Sequence, residues 1–404
     1  MPAHSIQLDS QVFVSADETP VSVRLCQSWD ELEKFRGDWN GLLQACFRPS
    51  IFQTPEWLGS WWHAFGADKS LLALIFTEPA GNTVGIALLY LECQSQLGMS
   101  VMLLRMVGAG SGDSDALDFT VAPGYERSCA KAFMSWLADE SQWNICTLET
   151  LRPGSVVARH ISELVQQAGW RLQSESSPNF FIDLPPTWPE YLQTLEPAFR
   201  PLLTRYPKRL HSRYRVQITP CERPEDLDAN LQTLFALHQM RWTGRGEPGA
   251  FATAERCDFY FRMANAFLQR GWLEFWLLQL DDETVAAQFC FRYGGTVYLL
   301  QEGFNPKYAA EKIGYALRAH VLQEMIRTGA TRYDFMGGTD PYKLKFAAQK
   351  SSYISLRFAG PSLRGRAHLA LRGQRQRIKL WLKRRLPEQM LAELRQRTKA
   401  AACD

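Results

Sequence analysis

The chain has 404 residues, 46% of them hydrophobic and 22% charged, and carries a formal charge of +3. That length exceeds one ordinary core and predicts two domains, and the composition is that of a soluble globular protein. No apolar run approaches the ~18 residues of a membrane span; the best is LLALIF, Leu71 to Phe76.

The nine cysteines are scattered, odd in number and without a CxxC. This argues against a disulfide framework or a zinc cluster and for a reducing, cytoplasmic setting. Residues 1–20 have neither a basic start nor an apolar stretch, which predicts a flexible N-terminus and no signal peptide. From Leu363 onward 12 lysines and arginines stand against 3 acids, so a strongly basic tail follows a mildly acidic body.

Two halves show one order of elements. SWDELEKFRGDWNGLLQA (Ser28 to Ala45) predicts a helix with Ser28 as N-cap and Glu31 three residues on, a capping box. PEWLGSWWHAF is a second, short helix. LLALIFTE, a Pro-Ala-Gly-Asn turn and TVGIALLYLEC predict a hairpin. The strand VMLLRMV follows, then an acidic loop, a helix from Glu126 to Ala138, the strand ICTLETL and a helix from Val156 to Ala168.

WPEYLQTLEPAFRPLLTRYPKRLHSRYR is a helical connector. The plan then repeats, with helices over Arg223 to Trp242 and CDFYFRMANAFLQRG and a hairpin turning at Asp281-Asp282. The strand TVYLLQE follows, then a helix with Ile313, Leu317, Val321 and Met325 at i+4 spacing, and the strand RYDFMGG. The fold class is therefore α/β with mixed sheets. Residues 21–185 and 223–360 form two similar units, 186–222 a connector, and 361–404 a helical tail.

GAGSG (Gly108 to Gly112) lacks the dinucleotide fingerprint, because its glycines run into three acids rather than into a helix N-terminus. Asp113, Asp115 and Asp118 lack EF-hand spacing and predict a solvated loop. The seven histidines show no HExxH, so no metal is expected. The strongest constellation is strand TVYLLQE, turn GFNPKY, helix AAEKIGYALRAHVL and strand RYDFMGG. A helix N-terminus after a strand offers free N–H groups and a favourable dipole to an anion. Gly314 and Ala316 allow close approach, and Lys307 and Lys312 add positive charge. The alternation of the last strand sends Asp334 to the face opposite Tyr333 and Phe335.

These segments carry a resemblance. FQTPEWLGSWWHAF, LLRMVGAGSGDSDALDFTV, HQMRW, EGFNPKYAAEKIGYAL and YDFMGGTDPYKLKF are similar to members of the GNAT acyltransferase superfamily, in the tandem-domain branch related to FemAB peptidyltransferases. Within it the chain most resembles CelD-type acetyltransferase-like proteins of cellulose and exopolysaccharide loci. The resemblance implies two tandem GNAT-like domains and an acyl-CoA co-substrate, acetyl-CoA in the first instance. Its pyrophosphate would lie on a Q/R-x-x-G-x-G/A loop, matched here by Glu311, Lys312, Ile313, Gly314, Tyr315 and Ala316, with Glu311 departing from the pattern. Asp334 or Glu302 is then the expected general base, and Tyr342 or Tyr315 the proton donor to the leaving thiolate. Arg241, Trp242 and Lys343 are the expected substrate-binding residues.

The implied activity is N-acyl transfer to an amine of a sugar nucleotide or envelope-glycan precursor. The alternatives are aminoacyl transfer from tRNA and a scaffold role beside polysaccharide synthase components. In the tail, IKLWLKRRL puts Ile378, Trp381, Leu382 and Leu386 on one stripe amid basic residues, and the segment 364–386 suits an anionic membrane surface. This would make a cytoplasmic protein peripheral to the inner membrane. RNA binding and a solvated extension are the rival readings.

Overall fold

The structure, a computed structural model, describes residues 19–385 apart from 47, 97, 244–248 and 339. The first half runs β1 (Ser22–Cys26), α1 (Trp29–Glu33), α2 (Arg36–Ala45), α3 (Pro55–Phe65), β2 (Ser70–Thr77), β3 (Thr83–Gln96), β4 (Met99–Met106) and β5 (Thr120–Val121). It continues through α4 (Glu126–Asp139), β6 (Ile145–Leu151), α5 (Val156–Gln167) and β7 (Arg171–Asp183). Two helices, α6 (Trp188–Thr194) and α7 (Arg200–Arg213), fill the connector.

The second half runs β8 (Val216–Pro220), α8 (Pro224–Thr243), α9 (Ala254–Arg270), β9 (Leu273–Leu280), β10 (Glu283–Tyr293) and β11 (Thr296–Phe304). After these come α10 (Ile313–Arg327), β12 (Arg332–Gly337), α11 (Tyr342–Lys345), β13 (Gln349–Ala359) and α12 (Leu363–Arg385).

Local chemistry sets the element ends. The Ser28 hydroxyl accepts from the Glu31 amide at 3.3 Å, but the Glu31 carboxylate takes the Gln27 amide, and the expected single helix breaks into α1 and α2. Gly271 ends α9 in the left-handed region at φ 67°. Asp281 and Asp282 turn the β9–β10 hairpin at φ 50° and 74°, a conformation that short polar side chains tolerate better than bulky ones.

The strands form one 13-stranded sheet, ordered β1-β2-β3-β4-β6-β13-β7-β12-β11-β10-β9-β8, with β5 on β3. The expected repeat is present, since β1-β2-β3-β4-β6 and β8-β9-β10-β11-β12 are mirrored sequences of neighbours. The expectation of a separate sheet in each unit gives way to a continuous one. The final strand of each half crosses to the other, so that β7 pairs with β12, β13 pairs with β6, and β7 and β13 pair antiparallel from Gln349 opposite Phe181 to Ala359 opposite Arg171.

Helix α3 adds to this union. Its Trp57 ring meets Phe259 of α9 at 5.2 Å and Phe291 of β10 at 5.5 Å, inside one buried cluster shared by both halves. On the other face of the second half α10 packs over β9, β10 and β11, with α7 beside it. No described helix is long and apolar enough to cross a membrane. The basic segment predicted over 364–386 coincides with α12 up to Arg385, and its side chains from 375 onward lie outside the described residues, as do residues 1–18.

Candidate active site

The strands β11 and β12 are parallel over Thr296–Arg332, Val297–Tyr333 and Tyr298–Asp334 only, and beyond that they part. A bulge on β11 falls at the same place, because Phe289 faces Gln301 whereas Cys290 faces Leu299. Such an extra residue reverses the alternation of side chains. Tyr298 therefore packs in the cluster under α8 and α9, whereas Glu302 and Phe304 emerge on the α10 side. The parted strands and the N-terminus of α10 enclose a cavity of about 240 Å³, lined among others by Arg241, Glu302, Ile313, Gly314, Arg318 and Tyr342.

The start of α10 is open. Lys312 occupies its N-cap at φ 56°, with no side-chain hydrogen bond capping the turn. A Cβ on Gly314 would meet only Phe304 Cδ1, at 3.9 Å, so the backbone faces space rather than packing. The free amides of a first turn are a standing anion site. The matching helix of the first half, α4, likewise has no side-chain hydrogen bond at its N-cap, Tyr125, and the Glu126 carboxylate accepts from the Gly124 amide just before it at 2.8 Å. Glu311, the departure from the phosphate-loop pattern, turns away to pair with Arg213 at 2.5 Å and does not line the cavity.

Arg318 decides the electrostatics. It is 4% exposed and lies over the rings of Tyr342 and Phe346, each at 4.9 Å. Its Nη2 donates to Glu302, and Arg241 Nη1 donates to the other Glu302 oxygen at 3.4 Å. Burial pushes the Glu302 carboxyl up, but the charges of Arg318 and Arg241 outweigh it and hold it below its ordinary range. An ionised carboxylate held by two guanidinia is a poor proton acceptor. The Nε atoms of Arg318 and Arg241 make no hydrogen bond among the described residues, which leaves buried donors beside the cavity. Burial pushes the Tyr342 hydroxyl up to about 12, so it keeps its proton at neutral pH.

Asp334 lies on the opposite face, at the last paired position before the strands part. Its Oδ1 accepts from the Met336 amide at 2.7 Å and its Oδ2 from Asn179 at 3.3 Å. Asp115, from the glycine loop of the first half, accepts from the Gly337 amide at 2.9 Å. Lys343 binds the carbonyls of Phe335, Met336 and Gly337 at 3.2, 3.2 and 2.5 Å, so its three donors are spent on the end of β12. The acids of the acidic loop are therefore engaged rather than free in solvent, with Asp113 and Asp115 buried and Asp118 half-buried. Asp113 pairs with Arg256 at 2.9 Å, Asp115 holds Gly337, and Asp118 accepts from Ser155.

This arrangement predicts a pH effect. Burial, with Asp334 adding to it, pushes Asp115 up to about 7, against about 3.9 in an unfolded chain. Between those values the folded state binds the extra proton, so this group's contribution to stability falls as pH rises from about 4 to 7. Asp115→Asn should then gain on the wild type across that window and hold a constant difference above it, as read by urea denaturation at a series of pH values.

The structure gathers most of the sequence-predicted residues. Glu302, Tyr342, Tyr315, Lys312, Ile313, Gly314 and Arg241 all line the 240 Å³ cavity. Asp334 lines a different one, of about 590 Å³. Ala316 is buried in the core beneath α10, and Lys307 stands over the Tyr308 ring at 5.4 Å. Trp242 stands 6.0 Å from the Arg241 guanidinium and does not line the cavity. Lys343, expected as a substrate-binding residue, has its ammonium engaged by three backbone carbonyls and does not line the cavity. The sequence does not mark Arg318 or Asn179, and it marks Asp115 only as part of an acidic loop. The spacing of Arg318, four residues after Gly314 and so on the same helix face, is the one signal that pointed to it. Among the described residues no group of three or more His, Cys, Asp or Glu could hold a metal ion.

Residues 198–344, from the approach to α7 through the cavity, match the model of an acetyltransferase (GNAT) domain. The match spans less than half of the chain. Among curated proteins, none matches the chain in sequence. Among solved structures, FemX superposes with a TM-score of 0.56 at 10% identity, covering 80% of this chain and 95% of FemX. A conserved protein of unknown function from Bacteroides thetaiotaomicron superposes at 0.50 with 12% identity, covering 83% and 99%. At these identities the likeness is one of fold. It extends well beyond the GNAT segment into the first half.

Proposed function

We propose that the protein is an N-acyltransferase drawing on acyl-CoA, acetyl-CoA in the first instance, and acting on an amine of a sugar nucleotide or of an envelope or exopolysaccharide precursor. The observation that carries this reading is the uncapped N-terminus of α10, opening on parted strands beside Arg318, a buried guanidinium with a spare donor. The donor diphosphate fits that end, with Lys312 and the Gly314 backbone close to it, and acyl-CoA supplies the thioester. The released N–H groups of β11 beyond Tyr298 are free of β12 and can hold the developing oxyanion.

The acceptor approaches from the opposite face, where Asp334 stands at the point of parting. As its nitrogen attacks the acyl carbon, Asp334 takes the amine proton, the carbon–sulfur bond breaks, and Tyr342 supplies the proton to the sulfur. Glu302 positions Arg318 and Arg241 rather than accepting a proton. Resemblance to CelD-type proteins is the ground for the exopolysaccharide acceptor, and the basic tail is the ground for contact with an anionic membrane surface.

Calorimetric titration of the full chain with acetyl-CoA, with CoA and with aminoacyl-tRNA tests the donor. Acetyl-CoA should bind, and Glu311→Ala should leave that binding unchanged because Glu311 is turned to Arg213. Binding of charged tRNA alone would replace acyl-CoA as donor, and binding of neither by a folded protein would favour a scaffold.

A further inference from the structure

On the face opposite α10, the 590 Å³ cavity has walls of Phe181, Tyr293, Tyr298 and Tyr353, with Asp334 among its lining groups. Three guanidinia border it, those of Arg48, Arg152 and Arg332. Arg332 has its counter-charge, donating to Asp183 Oδ1 from Nε at 2.9 Å and from Nη2 at 2.6 Å. Arg152 has none. Its Nη1 donates to the backbone carbonyl of Arg48 at 3.0 Å, and it forms no ion pair among the described residues.

Past Arg48 and Arg152 a second cavity of about 390 Å³ continues. Its acids are engaged, Asp118 with the Ser155 hydroxyl and the Phe119 amide, and Glu126 with the Gly124 amide. Arg48 and Arg152 thus form the waist between two cavities. Arg152 keeps a half-buried charge with no carboxylate in contact, and Asp118 and Asp334 act on it only from farther off, which leaves its fork open to a ligand anion.

We propose that Arg152 binds the anionic group of the acceptor, and that the acceptor is a phosphorylated amino sugar. The planar fork of arginine suits the oxygens of a phosphate. The tyrosine rings give a sugar flat, amphipathic walls with hydroxyls at their edges. With its phosphate on Arg152, the acceptor lies within the cavity that Asp334 borders, which directs its amine towards the parting of β11 and β12. This deepens, and rests on, the acyl-transfer reading.

The test is calorimetric titration of the full chain with glucosamine 6-phosphate, glucosamine and inorganic pyrophosphate, with acetyl-CoA titrated in parallel. Glucosamine 6-phosphate should bind at least tenfold more tightly than glucosamine, and pyrophosphate should compete with it. Arg152→Gln should weaken the phosphate probes by roughly 10–100-fold, the worth of a hydrogen bond to a charged group, and leave acetyl-CoA affinity unchanged. Arg152→Lys keeps the charge but not the fork and should fall between. If Arg152→Gln fails to fold, the Arg152→Lys series and the pyrophosphate competition decide.

Equal binding of the phosphorylated and neutral sugars, or full phosphate binding by Arg152→Gln, overturns the proposal while acetyl-CoA binding keeps the acyltransferase reading. If the phosphate probes bind through Arg152 but acetyl-CoA does not bind, the anion site stands and its use as an acceptor site for acyl transfer falls.

Discussion

Arg318→Met is expected to lower stability by about 3–5 kcal/mol, because removing one partner of a buried pair strands the other charge. Glu302 would keep only Arg241, at 3.4 Å. Its side chain is 22% exposed, which places the cost at the lower end of that range. Donor binding should be lost as well, since the buried positive charge beside the open end of α10 disappears. The double variant Arg318→Met/Glu302→Gln separates the two effects. It removes both charges and should recover most of the stability, because an apolar or neutral replacement of a whole pair is tolerated far better than half of one. It should still fail to bind acetyl-CoA. Urea denaturation and calorimetry on the wild type and these variants read both quantities. Recovery of donor binding in the double variant would confine Arg318 to holding the fold, and the donor site would need another cation.

Helices and hairpins were legible because their apolar residues recur with the right period and their ends carry capping or turn residues. Gly271 stops α9 as its position implies, and the Asp281-Asp282 hairpin turns as such pairs do. The two strands at the centre of the sheet were not legible. RLQSESSPNFFID, which forms β7, has a polar run where a buried strand would alternate, and its residues from Ser174 to Ser177 are exposed. Its partner is β13, from the other half of the chain, and nothing local records that pairing. The union of two expected sheets into one follows from this exchange.

The candidate site was half legible for a related reason. Spacing along a helix or loop marks Gly314, Tyr315 and Tyr342, whereas Glu302 needed the bulge on β11 to reach them. Lys343 illustrates the limit in the other direction. A lysine beside glycines in a loop resembles a phosphate ligand, yet the turn at Met336, with φ 58°, exposes carbonyls that bind the ammonium first. Asp115 was hidden by distance in sequence, since its partner Gly337 is 222 residues away.

Asp334→Asn is expected to slow turnover by roughly 10²–10⁴-fold, the usual worth of a positioned general base, with donor affinity little changed because Asp334 does not line the donor cavity. Asparagine keeps the size of the side chain and can still accept from the Met336 amide, so the turn at the end of β12 should hold. Burial is the chief reason that the Asp334 carboxyl sits above the ordinary carboxylate range, with hydrogen bonds from Met336 and Asn179 and the charges of Arg332 and Arg152 pulling the other way. As a base it must be deprotonated, so kcat/KM for the wild type should rise with pH through an inflection above the usual value for aspartate. Asp334→Asn should abolish that inflection along with the rate. A structural role predicts something else: a melting temperature lowered by the loss of about 1 kcal/mol or more of hydrogen bonding, with the pH profile keeping its shape. Turnover, pH profile and melting should therefore be measured on the same preparations. A variant that melts early but keeps full turnover and an unchanged profile would make Asp334 a brace for the turn, and the amine proton would have to leave through the acceptor's own solvent.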